Sequence, residues 1–294
     1  MTARIIDGKA IAQSLRASTA QAVAALAAAG RPVRLVALLI GNSPAAEVYA
    51  RNQADMCAKI GIDYSLQTLP ASASQENVLA EVRRLNADPA VTGVMVHLPL
   101  PEHLDTQEVQ YAIDVRKDVE GVSPANIGHV VYGHTIIAPC TALAVVELIA
   151  HTGAPLQGAE AVVVGASRIA GKPISLLLTE HGATVTLCHI HTRDLPAHTR
   201  RADVLVVAVG RPGLIGVEHL RPGAVVIDVG INRIWTSDAA GERRQKTVGD
   251  VQSEAANEVA GWLSPVPGGV GPVTVAMLLK NTVRSARLVH GLEA

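Results

Sequence analysis

Phenylalanine does not occur anywhere in the 294 residues, and only two Trp and four Tyr are present. Platforms for stacking single-stranded nucleic acid are therefore missing. A surplus of either charge is missing too: 25 Lys and Arg stand against 26 Asp and Glu, with no long basic run. That balance argues against electrostatic capture of nucleic acid or an anionic membrane. Cysteine is scarce, and Cys57, Cys140 and Cys188 are far apart and outside any CxxC or CxxH pairing. They read as buried, reduced thiols of a cytoplasmic protein rather than as a disulfide framework or a metal site. No signal peptide or membrane span is expected, because the Ala-rich start interleaves Arg4, Asp7, Lys9, Gln13, Arg16 and Gln21 with its apolar residues. What remains is 49% hydrophobic and 17% charged, enough for two domains with aliphatic cores and no staples.

The pattern along the chain alternates helix and strand. Gly8 to Ala29 has an amphipathic period, closed by Gly30 and Pro32. Arg34 to Ile40 is a continuous apolar run of the kind buried on both faces of a parallel sheet. Asn42 or Ser43 is placed to cap a helix that has Pro44 in its first turn and runs to about Ile60. A strand at Asp63 to Leu69, a helix at Gln75 to Leu85 and a strand at Val91 to His97 continue an α/β layer. From Lys117 to Pro139 no clear period is visible, and this segment is taken as the crossing to a second domain. There a helix at Thr141 to His151 precedes strands at Ala161 to Val164, Ala183 to Leu187, Val204 to Val209 and Val225 to Val229. Ser264 to Pro272 is too rich in Pro and Gly to be anything but loop, and Val273 to Leu288 forms a last helix. The expected division is 1–138, completed by 273–294, and 139–272.

The strand ending at Val164 runs into Gly165-Ala166-Ser167-Arg168-Ile169-Ala170-Gly171-Lys172-Pro173 and then a helix. Such a turn lets backbone N–H groups approach a pyrophosphate at a helix N-terminus. It also serves as a tight connection in proteins that bind nothing, since Ser167 replaces the middle Gly of GxGxxG and the third Gly is one residue late. About 20 residues on, where NAD-binding proteins present an acid to the ribose, the chain has Cys188-His189-Ile190-His191-Thr192-Arg193. His191, Arg193 and Arg168 attract a 2′-phosphate that an acid would repel, so the pattern favours NADP over NAD. Without a third ligand near His189 and His191, no metal is assigned.

Read together, these motifs resemble the methylenetetrahydrofolate dehydrogenase/methenyltetrahydrofolate cyclohydrolase family over nearly the whole chain. The resemblance is carried by Ile6-Asp7-Gly8-Lys9, Gly41 to Gly61, Val96 to Pro101, Lys117-Asp118-Val119-Glu120-Gly121, Pro139-Cys140-Thr141, Val226 to Asn232, Gly249-Asp250-Val251 and, most specifically, Pro265 to Thr274. It implies two α/β domains with a cleft between them, the second a Rossmann-like NADP-binding domain, in a homodimer. It also implies NADP-dependent oxidation of 5,10-methylenetetrahydrofolate, followed by hydrolysis of the methenyl product to 10-formyltetrahydrofolate. Pro265, Gly268, Gly269 and Pro272 then line the folate site, while Gly165, Ser167, Arg168, Gly171, His191, Arg193 and Ile231 meet the cofactor.

The one-carbon site departs from the family's pattern. Tyr49 matches the family's Tyr, but the catalytic Lys four residues on is Gln53, the Gln of Val-Gln-Leu-Pro is His97, and the pterin-binding Asp is Glu120. The usual Pro after Cys-Thr is Ala142. Hydride loss needs placement more than a protein base, whereas hydrolysis needs a proton carrier that Gln cannot be. The expectation is a dehydrogenase whose cyclohydrolase activity is weak or lost, with Tyr49 and Gln53 orienting substrate and Glu120 holding the pterin. Two alternatives stand beside it: a repurposed folate enzyme using His97 as base, and a catalytically silent folate- and nucleotide-binding protein. His97 is read either as that base or as a group that only hydrogen-bonds the pterin or the backbone.

Overall fold

A computed structural model describes residues 2–41, 44–237 and 243–293, and leaves out the side chains of residues 44–46, 49 and 237. The proposed Asn42 or Ser43 cap lies outside the described residues. Along the chain run β1 (Arg4–Ile5), α1 (Gly8–Ala28), β2 (Arg34–Ile40), α2 (Pro44–Ile60), β3 (Asp63–Leu69), α3 (Gln75–Ala87), β4 (Gly93–Val96), α4 (Thr106–Tyr111) and α5 (Pro124–Val131). There follow α6 (Cys140–Thr152), β5 (Glu160–Val164), α7 (Gly171–Glu180), β6 (Thr184–Cys188), α8 (Leu195–Thr199), β7 (Val204–Val207) and β8 (Val225–Asp228). The remainder is β9 (Asn232–Ser237), β10 (Arg243–Val248), α9 (Ser253–Ala256), β11 (Trp262–Leu263) and α10 (Val270–Val289).

The chain divides into two compact units, one of residues 1–13 and 139–277, the other of 14–138 and 278–294. The first differs from the sequence expectation at its start. β1 pairs in parallel with β11, Arg4 opposite Trp262 and Ile5 opposite Leu263, so residues 1–13 go with the later domain. Two-residue strands carry no period, which is why neither β1 nor β11 was visible in the sequence. This unit holds a six-stranded parallel sheet in the order β1-β11-β8-β7-β5-β6, with β9 and β10 as a separate antiparallel ribbon. Valine dominates its central strands, Val162 to Val164, Val204 to Val207 and Val225 to Val226, all buried, as expected of β-branched residues between two covered faces.

The second unit is built on the parallel sheet β3-β2-β4, in which Leu38 faces both Gln67 and Val96. Leu35 to Leu38 are wholly buried, as the unbroken apolar run predicts. β4 is shorter than the expected Val91 to His97 because Thr92 Oγ1 accepts from Arg34 N and donates to Arg34 O, so a side chain stands in for the ladder there. The aperiodic stretch after Lys117 contains α5, started by Ser123 Oγ accepting from Asn126 N and by Pro124 in its first turn. From Leu278 onward α10 braces this sheet: Asn281 Nδ2 donates to Val119 O and Ala138 O at 3.0 Å, and Ser285 Oγ bonds Thr92 O and Arg116 O. The segment carrying Glu120 is thereby fixed beside β4, where Val94 N donates to Lys117 O at 2.8 Å. Cys57, Cys140 and Cys188 are buried and free, and burial pushes the Cys57 thiol up to about 12. Among the described residues no helix is long and apolar enough to cross a membrane.

Candidate active site: a dinucleotide cradle and a polar cluster beside β4

In the parallel sheet β5 has β6 on one side and β7 on the other, so strand order reverses there, the position at which doubly wound sheets bind ligands beyond their carboxyl ends. A cavity of about 510 Å³ opens at this point, lined among others by Gly165, Ser167, His189, Ile190, Arg211 and Leu214. Gly165 has φ +114, and a Cβ on it would lie 2.1 Å from Ala208 O. A Cβ on Gly171 would lie 1.7 Å from Gly165 O. The turn is therefore glycine for a reason, because α7 is packed directly on the end of β5. Ser167 Oγ accepts from Ala170 N at 3.2 Å and Gly171 N at 3.3 Å, which closes the turn where a middle glycine is lacking. These features, a cradle closed to any Cβ at the helix entrance and a cavity wall with no acid among the described residues, fit a dinucleotide with its phosphates on the turn.

The other cofactor residues are placed less directly. Arg168, His191 and Arg193 are exposed and do not line the cavity, whereas Arg211, just after β7, does. His191 N donates to His189 Nδ1 and the two rings meet edge to face, with Ile190 between them 93% exposed. Arg211 was missed because its segment has no motif, although it follows the strand on the far side of the switch point.

Ile231 lies elsewhere, in a second pocket of about 200 Å³ walled by Pro265 to Pro272 and Lys9. Pro265, Gly268, Gly269 and Pro272 thus come together with one expected cofactor residue. The loop is held from two sides. A Cβ on Gly8 would lie 2.0 Å from Gly269 O, which ties the Ile6-Asp7-Gly8-Lys9 motif to the glycine pair. Two buried carboxylates organise the adjacent backbone: Asp228 accepts from Gly230, Asp250 and Val251 N, and Asp250 accepts from Val209 and Gly210 N and from Asn232 Nδ2. Burial pushes Asp228 up to about 6 even though those three backbone donors favour its anion.

In the other unit, Gln53 and His97 are both buried, at 2% and 3% exposure. Gln53 is on α2, one turn after Tyr49, whose side chain lies outside the described residues. Its Nε2 donates to Met95 Sδ at 2.9 Å, and its buried Oε1 has no hydrogen-bond partner among the described residues. His97 follows β4, its N–H donates to Leu38 O, and its Nε2 lies 3.2 Å from the Tyr64 hydroxyl. Burial lowers the imidazole from its ordinary value, which leaves it neutral near pH 7. Tyr64, on β3, was not singled out from the sequence, although being one of four Tyr in a chain without Phe made it conspicuous.

The Lys117-Asp118-Val119-Glu120-Gly121 motif separates into scaffold and site. Lys117 Nζ donates to Leu85, Asn86 and Asp88 O at 3.0, 2.7 and 2.7 Å, capping the end of α3. Asp118 accepts from Gly121 N, Ser123 N and Asn126 Nδ2. Both therefore shape the turn that presents Glu120. The Glu120 carboxyl is pushed up to about 7, first by burial and then by the Asp118 charge, with a backbone hydrogen bond from Val96 acting against them.

A family model described as the tetrahydrofolate dehydrogenase/cyclohydrolase catalytic domain matches residues 6–120, and one for the NAD(P)-binding domain of the same family matches residues 139–290. The chain is similar to the bifunctional protein FolD of Rhodobacter capsulatus, with 50% identity over 284 residues, 97% of this chain and 93% of that one. FolD of Moorella thermoacetica is 48% identical over 98% of this chain and 100% of its own. Among solved structures, the FolD methylenetetrahydrofolate dehydrogenase/cyclohydrolase from Campylobacter jejuni has a TM-score of 0.90 at 38% identity, covering 97% of this chain and 98% of that one. The Trypanosoma brucei enzyme complexed with NADP cofactor and inhibitor has a TM-score of 0.90 at 36% identity over the full length of both.

Proposed function

Because the chain belongs to the tetrahydrofolate dehydrogenase/cyclohydrolase family, we propose that it oxidises 5,10-methylenetetrahydrofolate to 5,10-methenyltetrahydrofolate with NADP, and that hydrolysis to the formyl form is weak or lost. The observation that carries the second half is Gln53, a buried amide committed to Met95 at the position of the family's catalytic Lys. An amide takes up and releases no proton at accessible pH, so this position carries none to or from a reacting centre.

Loss of hydride from the methylene bridge is driven by the lone pair of the neighbouring ring nitrogen and leaves a delocalised cation. The protein's part is to hold the folate still and keep water away. Glu120 holds the aminopyrimidine edge, where its anion accepts two N–H bonds. Tyr49 and Gln53 orient the one-carbon end, and the Pro265 to Pro272 loop lines the folate. Gly165, Ser167 and Gly171 present backbone to the pyrophosphate, while Arg168, His191 and Arg193 supply positive charge near the adenosine end and Ile231 meets the far end of the dinucleotide. When bound, NADP⁺ supplies the hydride acceptor. A homodimer and a cytoplasmic location belong to the same proposal.

One observation favours a second reading for whatever hydrolysis remains. His97 is buried, neutral and in contact with Tyr64, the state in which an imidazole accepts a proton from attacking water. Purified protein mixed with methylenetetrahydrofolate and NADP⁺, with reduced cofactor, methenyl and formyl products followed separately, tests both. Reduced cofactor with accumulating methenyl is the expected result, and folate binding without cofactor reduction defeats it. If His97 is the base, His97→Gln removes residual hydrolysis and leaves hydride transfer within a few-fold. Native hydrolysis then declines on acidification only below the ordinary imidazole value of about 6.5, because burial lowers that of His97. Equal loss of both steps would make His97 a positioning group.

A further inference from the structure

The ends of β7 and β8 part to serve different pockets, and one buried side chain joins them again. The two strands pair in register up to Val207 opposite Asp228, and Val229 N donates to Val207 O at 2.8 Å. Beyond that bond the β7 segment turns to the cavity of about 510 Å³, which Val209 and Arg211 help to line. The β8 segment enters the pocket of about 200 Å³ with Val229, Gly230 and Ile231. Asp250, wholly buried, spans the gap. Its Oδ2 accepts from Val209 N at 2.7 Å and Gly210 N at 2.9 Å, and its Oδ1 accepts from Asn232 Nδ2 at 2.8 Å. Gly230 lies directly against the same carboxylate, since a Cβ there would be 2.4 Å from its Cγ. The backbone of Asp250 is itself anchored: its N donates to Asp228 Oδ1 at 3.0 Å, and its O accepts from Ile215 N at 3.1 Å.

We propose that Asp250 is a positioning residue for hydride transfer, which holds the turn after β7 and the start of β9 at one spacing through its two oxygens. The inference rests on the reading above, in which the first cavity takes the phosphates and adenosine of the cofactor and Ile231 meets its far end. Asp250 lines neither pocket, so it acts through Val209, Gly210 and Asn232. Turnover depends on how closely the two ends are held, whereas binding of the adenosine half needs only the first cavity. Cutting the Asn232 arm therefore separates the two.

Variants of the full chain test this by steady-state hydride transfer and by calorimetric titration of the cofactor-free protein with adenosine 2′,5′-bisphosphate, the phosphorylated adenosine half of NADP. Asn232→Ala removes only the contact to Oδ1. Its kcat should fall about tenfold, with the KM for NADP⁺ and the bisphosphate affinity each within about twofold of native. Asn232→Asp sets a second carboxylate against Asp250 and should lower kcat further. Asp250→Asn combined with Asn232→Asp keeps one carboxylate and restores the bond with donor and acceptor exchanged, and should return kcat to within about threefold of native. An unchanged kcat in Asn232→Ala would overturn the proposal, as would equal losses of kcat and bisphosphate affinity, the mark of a merely structural role. A double variant with native bisphosphate affinity that stays as slow as Asn232→Asp would overturn it too. If the charged variants do not fold, the split between kcat and affinity in Asn232→Ala decides alone. A native protein that binds the bisphosphate yet reduces no NADP⁺ with methylenetetrahydrofolate would instead overturn the dehydrogenase reading, and this proposal with it.

Discussion

At the carboxyl end of β5 the groups that shape the ligand site belong to the main chain, whereas at the carboxyl end of β4 they belong to buried side chains. The Gly165 turn is defined by contacts that a single Cβ would destroy, and its polar groups are peptide N–H groups present whatever the side chains are. The proposed one-carbon site is built from buried side chains beside β4, with Gln53 bonded to Met95, His97 to Tyr64 and Glu120 to the Val96 backbone. A main-chain site tolerates changes such as Ser167 for Gly, because Ser167 Oγ closes the turn itself. A side-chain site can change its chemistry while the fold stays the same.

The sharpest way to break this comparison is at Gly171. Gly171→Val puts carbon where Gly165 O already sits, 1.7 Å from the ideal Cβ, so α7 must move off the turn. NADP⁺ reduction should decrease about a hundredfold or more, since displacements of about 1 Å cost that much in placement. Folate binding, measured by calorimetry, should persist in the same variant. Loss of both would mean that the two sites are not separately built.

The reverse experiment changes chemistry without moving backbone. Gln53→Lys restores a proton carrier in a buried position, where desolvation lowers an ammonium's pKa towards the useful range. Methenyl hydrolysis, followed by loss of the methenyl chromophore, should rise about a hundredfold, with hydride transfer changed only a few-fold. A native protein that hydrolyses methenyl briskly, with no response to this substitution, would show that position 53 is not where the function went missing.

How much of this was legible follows the same division. The main strands and most of the long helices were visible because unbroken valine and leucine runs are buried on both faces, and the Gly165 turn was visible because strand, glycine and helix follow each other in the chain. The departures at positions 53, 97 and 120 were readable only against a family pattern. What they mean physically was not readable, because it depends on residues distant in sequence: Met95 turns the Gln53 amide, Tyr64 engages His97, and Asp118 helps raise Glu120. β1 was lost for a related reason, since two residues acquire meaning only from β11, more than 250 positions later. Lys117 is the converse case, a motif residue in a functional-looking run whose ammonium caps α3.

Cofactor choice sharpens the nucleotide side. Arg168 and Arg193 are exposed beyond the cavity lining, and Arg211 lines it. Arg211→Ala should weaken NADP⁺ about tenfold, the effect of one charge-assisted contact. Arg168→Ala, suggested by the sequence, should have the smaller effect of a more distant charge. Dissociation constants for NADP⁺ and NAD⁺ in both variants check this. A larger loss for Arg168→Ala would return the phosphate to the turn itself.

The smallest expected effect concerns stability on the one-carbon side. Glu120 is pushed up to about 7 from an ordinary 4.5, so the folded protein holds a proton that the unfolded chain has released. With the folded pKa raised, the stability it contributes is complete below about 4.5 and is lost as pH rises through about 7. Asp228 acts with the same sign but is exhausted lower, having risen from 3.8 to about 6. Glu120→Gln removes only the first contribution. Its melting temperature should therefore exceed that of the native protein at pH 8 by several degrees and converge with it below about pH 4.5, while the slope that Asp228 imposes between about 4 and 6 survives in both. Parallel melting curves across that range would mean that Glu120 is charged in the folded protein, and that the pocket beside β4 is wetter than its packing indicates.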